Sequence, residues 1–497
     1  MKELRNFIGG TWRDPRGLKR FSSMNPADGR ETVADAPLSG RADVDLAVEA
    51  ARSAAPAWRT LPAPRRGEIL YRAAQLIAQN KRRLGELVTT EMGKVLPEGL
   101  GDVQEAIDIA YYMGGEGRRL QGETVPSELP NKDCKSQREP LGVVALVTPW
   151  NFPIAIPAWK MTAALICGNT VILKPSSETP ACAAALVEIL AEAGVPPGVV
   201  NLVFGSGEEV GEYLMSHPGV DAASFTGSCN AGERLERVLA PLHRPLALEM
   251  GGKNAIVVMD DADLELAVDG AAWGAFGTSG QRCTATSRVV VHERVYDAFV
   301  SRLAERAGRM RLGNGLKPET EVGPVINERQ CAKILDYVRV GKEEGAKLVI
   351  GGERITTGEL QHGLFIAPTI FAGVKPTMRI AQEEIFGPVL SVIPCTSFDE
   401  AVSIVNSSRF GLSSAIYSRD VNITARAEKE FATGIVYINA STIGAEVQLP
   451  FGGWRHSGSG HPEAGGKGGA VEFFSKVKVI YRDYSGRLQK AQIDREA

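Results

Sequence analysis

Several protein classes are excluded by what the chain lacks. Its 56 lysines and arginines nearly balance its 59 aspartates and glutamates, and it has no dense basic run, so nucleic acid is not an expected partner. The seven cysteines form no CxxC pair and the six histidines form no HExxH motif, which argues against a disulfide framework, a zinc site and a metal catalyst. The sequence also shows no signal peptide and no run near the ~18 apolar residues of a membrane span. We therefore expect a cytoplasmic protein with no membrane partner.

The pattern of apolar residues predicts two successive α/β units. A hydrophobic content of 44% over 497 residues implies more than one domain. Helical periodicity dominates residues 43–114 and returns in 181–193. Apolar runs of strand length alternate with helical segments at residues 143–147, 170–174, 199–204, 222–225, 255–259, 288–291, 347–350, 388–393 and 435–439. Such alternation is typical of parallel sheets covered by helices.

Two segments lie outside this pattern. Residues 122–138 are polar, contain prolines and have no helical period, which indicates an exposed ribbon or arm. The tail 477–484 alternates like an edge strand, and exposed edges tend to be paired. Because the end of the chain offers no obvious partner, we expect another subunit to pair with it.

Cys283 lies in a short polar loop, TSGQRCTAT, between a helical stretch and a strand. Buried cysteines usually have apolar neighbours and are chemically quiet, so a structural thiol is the simplest interpretation. Two features favour a reactive thiol instead. The adjacent Arg282 is a cation that favours thiolate, and small polar neighbours such as Thr284 leave space for a substrate.

Two polar side chains elsewhere are placed as partners for such a cysteine. Glu249, 34 residues upstream, ends an apolar strand just before Gly251 and Gly252, where open α/β folds place ligands. An ordinary surface carboxylate at a strand end is the alternative. Asn151 lies in the constrained turn TPWNFP, where it either satisfies local backbone or donates to a developing oxyanion.

A weak nucleotide signal is present in SFTGSCNAG, residues 224–232. Here a strand and a glycine turn lead into a helix whose N-terminus, with Gly227 and Ser228, is suited to a pyrophosphate. By contrast, GSGEEVG places Glu208 and Glu209 at a helix start, where they would repel phosphate, so we interpret it as a turn.

The motifs TPWNFP, LKPSSETP, FTGS, LEMGGKN, GQRC, EEIFGPV and PFGG together resemble the aldehyde dehydrogenase superfamily in order and spacing, over nearly the whole chain. The resemblance implies the α/β aldehyde dehydrogenase fold in a homodimer or homotetramer. It implies a Rossmann-like coenzyme domain (1–120 and 140–250), an α/β catalytic domain (251–450) and a small β oligomerisation arm with tail (121–139 and 466–497).

Carried over by position, the resemblance also implies residue roles. Cys283 is the nucleophile, Glu249 the general base, and Asn151 an oxyanion-hole donor, with Lys160 linked to proton relay. The expected cofactor-binding residues are Trp150, Lys174, Ser177, Gly227, Ser228, Gly251, Glu384 and Phe386. The implied reaction is oxidation of an aldehyde to an acid with NAD(P)+, through a thiohemiacetal and a thioester that water hydrolyses.

Ser177 departs from many NAD-using relatives, which carry glutamate there to bind both ribose hydroxyls. Serine removes the repulsion of a 2′-phosphate, and Lys174 adds positive charge, so we predict NADP as the preferred cofactor. NAD is the alternative, because Glu178 is able to take the place of the missing carboxylate.

The substrate is harder to predict. Trp159 stands where similar succinate-semialdehyde enzymes carry arginine, which argues against that substrate. Arg282 is available to meet an acidic aldehyde, and the 438–453 segment and the Cys283 loop look most like the branch with 2-oxoglutarate-semialdehyde enzymes. The alternative is a broad-range enzyme with Trp159 and Phe152 lining an apolar funnel for aliphatic or aromatic aldehydes.

Other function classes are less consistent with the residues present. A CoA-acylating enzyme typically lacks the glutamate found at 249, and a cofactor-free cysteine hydrolase needs a histidine partner that no motif supplies. A catalytically idle scaffold of the same fold would tolerate loss of Cys283, Glu249 or Asn151, yet all three are present.

Overall fold

The computed structural model describes residues 2–15, 17 and 19–493. Residues 494–497 of the predicted tail therefore lie outside the described part of the chain. The α-helices are α1 (Arg41–Thr60), α2 (Ala63–Gln79), α3 (Lys81–Met92), α4 (Leu96–Glu116), α5 (Ala155–Ile166), α6 (Pro180–Glu192), α7 (Tyr213–Ser216), α8 (Cys229–Leu239), α9 (Leu264–Phe276), α10 (Glu293–Gly308), α11 (Glu328–Glu343), α12 (Arg379–Gln382), α13 (Phe398–Asn406), α14 (Val421–Glu430) and α15 (Ala470–Phe473).

The strands in chain order are β1 (Lys2–Glu3), β2 (Asn6–Ile8), β3 (Thr11–Arg13), β4 (Arg20–Met24), β5 (Thr32–Pro37), β6 (Thr124–Pro126), β7 (Lys132–Pro140), β8 (Val143–Val147), β9 (Thr170–Lys174), β10 (Val200–Leu202), β11 (Ala222–Thr226), β12 (Leu246–Glu249), β13 (Asn254–Val258), β14 (Thr286–His292), β15 (Lys347–Ile350), β16 (Arg354–Ile355), β17 (Phe365–Ile366), β18 (Thr369–Ala372), β19 (Val389–Cys395), β20 (Phe410–Gly411), β21 (Ser413–Tyr417), β22 (Ile435–Ile438), β23 (Trp454–Arg455) and β24 (Ser475–Asp483).

The first large sheet has the strand order β12-β11-β8-β9-β10-β2-β3. Its strands from β12 to β10 are parallel, and β2 and β3 extend it as antiparallel strands. Alternate residues of β8 enter opposite cores, since Val144 and Leu146 pack into one apolar cluster and Val143 and Ala145 into another. This period of two on a sheet covered on both faces explains why the strand is apolar throughout.

The second large sheet has the order β15-β18-β19-β14-β13-β21-β22, with all pairs parallel except β15–β18. Ala255 and Val257 of β13 face one core, and Ile256 and Val258 face the other. The two α/β units predicted from the alternating pattern are therefore present.

A third, three-stranded sheet is built from the two segments outside that pattern, in the order β24-β7-β6. β24 pairs antiparallel with β7 over nine residues, from Ser475 opposite Pro140 to Asp483 opposite Lys132. The expectation that the tail has no partner in its own chain is wrong, because segment 122–138 folds into the strand that receives it. Among the described residues no strand pairs with the other edge of β24, and Val477, Val479 and Tyr481, which share one face of it, are 60%, 57% and 67% exposed.

Candidate active site

The loop before Cys283 has an unusual backbone. After α9, Thr278, Ser279 and Gly280 have φ of 52°, 54° and 68°, a left-handed conformation that costs a non-glycine residue about 1–3 kcal/mol. A side chain at Gly280 would place its Cβ 2.2 Å from the Gly387 carbonyl oxygen. The Thr278 N–H donates to both carboxylate oxygens of Glu98, at 2.9 and 3.0 Å. The Glu98 carboxylate thereby holds this strained turn.

Cys283 is a free, half-buried thiol at the end of this turn. The Asn254 side chain donates to the Cys283 carbonyl at 2.8 Å and to the Ala285 carbonyl at 2.9 Å. Burial raises the pKa of the Cys283 thiol far above its ordinary value, and the carboxyl groups of Glu463, Glu384 and Glu249 raise it further. At rest the sulfur is therefore a thiol that needs a proton acceptor.

Arg282 does not supply the expected stabilisation of a Cys283 thiolate. Its Nη2 donates to Glu98 at 3.0 Å and its Nε to the Thr278 hydroxyl at 2.8 Å. Its guanidinium lies over the Phe152 and Trp273 rings, with its Cζ 5.5 and 5.9 Å from the ring centroids. The positive charge of Arg282 is thus paired with Glu98, and it does not offset the rise in the Cys283 pKa that burial and the three carboxyl groups cause.

A small cavity lies beside Cys283, which forms part of its wall. Its wall includes the three expected substrate residues Trp159, Arg282 and Thr284, and the Trp159 and Phe451 rings meet edge-to-face with centroids 5.4 Å apart. The remaining lining residues are Glu105, Phe152, Ile156, Thr226, Glu249, Met250, Cys283, Gly444, Ala445 and Glu463. The wall thus combines three aromatic rings with three carboxyl groups.

Glu249 is the last residue of β12 and lies in this cavity with Cys283. It is 2% exposed, the Gly453 N–H donates to its Oε2 at 3.1 Å, and its Oε1 has no partner among the described residues. Burial raises the pKa of Glu249 well above its ordinary value, Glu463 adds to the rise, and the Gly453 hydrogen bond and Lys160 oppose it. A carboxylate with a raised pKa is a stronger base.

Lys160 lies beneath Glu249 in a polar network. Its Nζ is 2.5 Å from Glu463 Oε1 and donates to the Ser224 hydroxyl at 2.5 Å, with no exposure to solvent. The Thr226 hydroxyl donates to the same Glu463 oxygen. Glu463 was not predicted as a site residue, because nothing in the loop HPEAGG distinguishes it from a surface acid.

Asn151 is buried, and its side-chain oxygen has no hydrogen-bond partner among the described residues. It is not part of the cavity wall, although its neighbour Phe152 is. The alternative that its side-chain oxygen satisfies the local backbone is therefore not supported. On the other side of Asn151, Trp150 meets Phe386 edge-to-face with ring centroids 5.4 Å apart.

The predicted nucleotide residues follow the carboxyl ends of the first sheet. Lys174 ends β9 and is 4% exposed, and burial lowers its pKa to about 8. Gly227 follows β11, and Ser228 caps α8 by accepting from the Ala231 N–H at 3.4 Å. The Ser177 hydroxyl donates to the Gly205 carbonyl at 3.1 Å. Parallel strands thus bring these residues to one edge.

Gly251 and Glu384 are in close contact across the two large sheets. A Cβ at Gly251 would lie 2.1 Å from both Glu384 carboxylate oxygens, and the Gly252 N–H donates to Glu384 at 3.1 Å. Glycine is required there because a side chain would displace this carboxylate. Phe386, two residues later, has φ 62° and is held by the Gln330 side chain, which donates to its carbonyl at 2.8 Å.

Helix α4 contributes three acids that sequence reasoning missed, Glu98, Asp102 and Glu105. Asp102 pairs with Lys94 at 3.1 Å and accepts from the Ala155 N–H at 2.7 Å. Spacings of four and three residues place all three acids on one helix face, among buried apolar positions. Acids on the apolar face of a helix were a signal that could have found them.

All seven cysteines lie within the described residues, and all are free thiols. Within the described ranges no group of His, Cys, Asp and Glu is arranged to hold a metal ion, and no helix is long and apolar enough to cross a membrane.

Comparison with known proteins identifies the class that this fold and site define. The model of the aldehyde dehydrogenase family matches residues 12–480. The alpha-ketoglutaric semialdehyde dehydrogenase of Bacillus subtilis is 42% identical over 96% of this chain and 97% of its own. The chain therefore belongs to the aldehyde dehydrogenase family, and it is an oxidoreductase that acts on aldehydes.

Solved structures agree with this assignment. A betaine aldehyde dehydrogenase from Staphylococcus aureus in complex with NAD+ is 35% identical with a TM-score of 0.95, covering 98% of this chain and 96% of its own. A 3,6-anhydro-L-galactose dehydrogenase in complex with NADP is 33% identical with a TM-score of 0.93, covering 97% and 100%. The predicted family, fold class and nicotinamide cofactor are confirmed, without distinction between NAD and NADP.

Proposed function

We propose that this enzyme oxidises the semialdehyde of a small 2-oxo acid, with NADP as the preferred cofactor and Cys283 as the nucleophile. The observation that carries the proposal is the single cavity lined by Cys283, Glu249 and Arg282. It joins a nucleophile, a base and a cationic side chain suited to an acidic aldehyde.

The roles of the protein groups follow from their environments. Cys283 loses its proton to Glu249, a carboxylate of raised pKa in the same cavity, and attacks the aldehyde carbon. We assign to Asn151, whose neighbour Phe152 lines the cavity, donation of its amide N–H to the oxygen that becomes negative. A bound nicotinamide dinucleotide supplies the hydride acceptor. Glu463, which is paired with Lys160, relays the thiol proton away from Glu249. Glu249 is then free to deprotonate the water that attacks the acyl carbon and releases the acid from Cys283.

The residues at the edge of the first sheet fit a nicotinamide dinucleotide. The N-terminus of α8, with Gly227 and Ser228, is suited to the pyrophosphate. Glu384 would hold the nicotinamide ribose, which the missing side chain at Gly251 allows. Trp150 and Phe386 form an edge-to-face pair beside that position.

Three observations support NADP over NAD. Lys174 is buried, and among the described residues no acid contributes to its pKa, which burial alone lowers to about 8. A 2′-phosphate is the counterion that such a lysine lacks. Ser177 presents no carboxylate. Burial raises the pKa of Glu178, and the Asn327 side chain hydrogen-bonds to it, so Glu178 is engaged away from the role of the missing acid.

The substrate proposal combines the cavity with the similarity to the Bacillus subtilis enzyme, whose name gives alpha-ketoglutaric semialdehyde as substrate. The Nη1 group of Arg282 makes no hydrogen bond with any described residue, so it is available to a distal carboxylate. The aromatic wall of Phe152, Trp159 and Phe451 favours a second candidate, a broad-range aldehyde dehydrogenase.

Assembly and compartment complete the proposal. The exposed apolar face of β24 is large enough to indicate contact with another copy of the chain, as a homodimer or homotetramer. Seven free thiols are consistent with a reducing compartment, most simply the cytoplasm.

The test is an aldehyde screen with both cofactors. We expect the highest kcat/KM with 2-oxoglutarate semialdehyde and NADP, lower values with succinate semialdehyde, benzaldehyde and pentanal, and no turnover by Cys283→Ser. Equal kcat/KM across the panel would favour the broad-range candidate. Full turnover by the serine variant would exclude the covalent route.

A further inference from the structure

The substrate cavity contains a carboxyl group that the mechanism does not use. Glu105 of α4 lies in the cavity wall, and it makes no hydrogen bond or ion pair with any described residue. The other acids of its helix face are fully engaged, Glu98 with Arg282 and Thr278, and Asp102 with Lys94. Glu105 is therefore the cavity acid left for a ligand.

We propose that Glu105 is a specificity-determining residue, which in its protonated form donates a hydrogen bond to the distal carboxylate or 2-oxo group of an acidic aldehyde. This inference rests on the acidic-substrate proposal above. Arg282 Nη1, in the same wall, supplies a second donor to the same end of the substrate.

The surroundings of Glu105 explain why it is a donor at neutral pH. Burial raises its pKa to about 8, and the negative charge of Asp102 contributes. The nearby cations, Lys94 and Arg282, lower it only in part, because each is already paired with another acid.

The other charged and titratable groups around Glu105 do not cancel the rise in its pKa. Asp108 on its own helix also raises the pKa. Tyr437 of β22, whose pKa is raised to about 12, is neutral in the working range. Glu249, Cys283 and Glu463 line the same cavity, and none of them supplies a positive charge that would lower the Glu105 pKa.

The protonation of Glu105 sets the direction in which kcat/KM for an anionic aldehyde changes with pH. Below about pH 8 Glu105 is neutral and donates, whereas above it the carboxylate repels an anionic aldehyde. A neutral aldehyde of similar length, such as pentanal, has no charge to repel. The ratio of kcat/KM for an anionic aldehyde to that for pentanal cancels the pH dependence of the shared chemical steps, and it reports titration of the free enzyme.

The experiment measures this ratio with 2-oxoglutarate semialdehyde, succinate semialdehyde and pentanal between pH 7 and 9.5. For a free-enzyme pKa of about 8, the ratio should fall by about thirtyfold over that range. In Glu105→Gln, which keeps an N–H donor at every pH, it should stay flat. Asp108→Asn is the matched control, because it removes an exposed acid of the same helix that does not line the cavity. It should retain the fall, displaced to lower pH because Asp108 contributes to the raised pKa of Glu105.

A flat ratio in the unaltered enzyme, or an equal fall in Glu105→Gln, would overturn the role of Glu105. So would a rise of kcat/KM with betaine aldehyde as the pH passes 8, abolished by Glu105→Gln, because it would assign the ionised carboxylate to cationic substrates. Failure of the substrate proposal looks different. There pentanal exceeds both anionic aldehydes at pH 7, while the slope of the ratio still reports on Glu105.

Discussion

Removing the Glu98 carboxylate should lower the reactivity of Cys283, although the substitution leaves Cys283 itself unchanged. Glu98 accepts from the Thr278 N–H at 2.9 and 3.0 Å and from Arg282 at 3.0 Å. These contacts hold Thr278 and Ser279 in the left-handed conformation. Glu98 is thus a positioning residue for the nucleophile loop.

The magnitude follows from those contacts. A hydrogen bond to a charged group contributes about 1.5–3 kcal/mol, and the left-handed backbone costs about 1–3 kcal/mol for each non-glycine residue. If about 2 kcal/mol of positioning is lost in Glu98→Ala, kcat/KM should fall by about thirtyfold. Glu98→Gln keeps an acceptor for the Thr278 N–H but loses the charge opposite Arg282, so its loss should be intermediate.

The assay needs a readout that general destabilisation would not move. The rate of Cys283 alkylation by iodoacetamide reports how accessible and reactive the sulfur is. This rate should fall as kcat falls, less in Glu98→Gln than in Glu98→Ala, while the KM for the cofactor stays constant. Glu86→Gln, which breaks the exposed Arg82–Glu86 pair on α3, is the matched control and should leave all three quantities unchanged. If kcat/KM and alkylation in Glu98→Ala stay within twofold of the unaltered enzyme, the positioning argument is wrong.

Four further outcomes are expected. Ser177→Glu should lower kcat/KM with NADP about a hundredfold, since repulsion between a carboxylate and a nearby 2′-phosphate costs about 3 kcal/mol, and an unchanged ratio of kcat/KM for NADP to that for NAD would refute the role of Ser177. Glu249→Gln should slow the burst of NADPH in rapid-mixing experiments and lower steady-state turnover by about 10²-fold or more; a burst as fast as that of the unaltered enzyme would show that Glu249 does not accept the thiol proton. The KM for NADP should rise as the pH passes about 8, because the Lys174 charge is present below that pKa and lost above it, and Lys174→Met should give a high, pH-independent KM. Val479→Lys should reduce the mass found by light scattering, unlike Val421→Lys at a 74% exposed site on α14, and an unchanged mass would remove the arm from the assembly.

The apolar runs in the sequence predicted the strands of the large sheets well, because the burial of a strand is reflected in its own residues. The runs at 143–147, 170–174 and 347–350 match β8, β9 and β15 residue for residue. A strand covered on both faces is apolar throughout, so its ends are visible as the first polar or glycine residue. The placement of Glu249 at a strand end was predicted for the same reason.

Long-range pairing was not predictable in this way. The partner of β24 lies more than 300 residues away in β7, and no local pattern specifies such a contact. Ion pairs between distant residues are equally unpredictable from local sequence. Arg282 has no acid near it in the Cys283 loop, but it pairs with Glu98, 184 positions earlier. Glu463 and Glu105 acquire their roles only through the cavity, which contains residues of seven separate segments of the chain.

The cysteine and its carboxylate belong to different sheets. Cys283 is fixed to the start of β13 through Asn254, in the second sheet, whereas Glu249 is the last residue of β12, in the first. Attack on the aldehyde and release of the acid therefore depend on two bodies joined by the short link Met250–Lys253. A shear between those bodies would separate the sulfur from its proton acceptor, so the formation of the acyl-enzyme and its hydrolysis both depend on the rigidity of this seam.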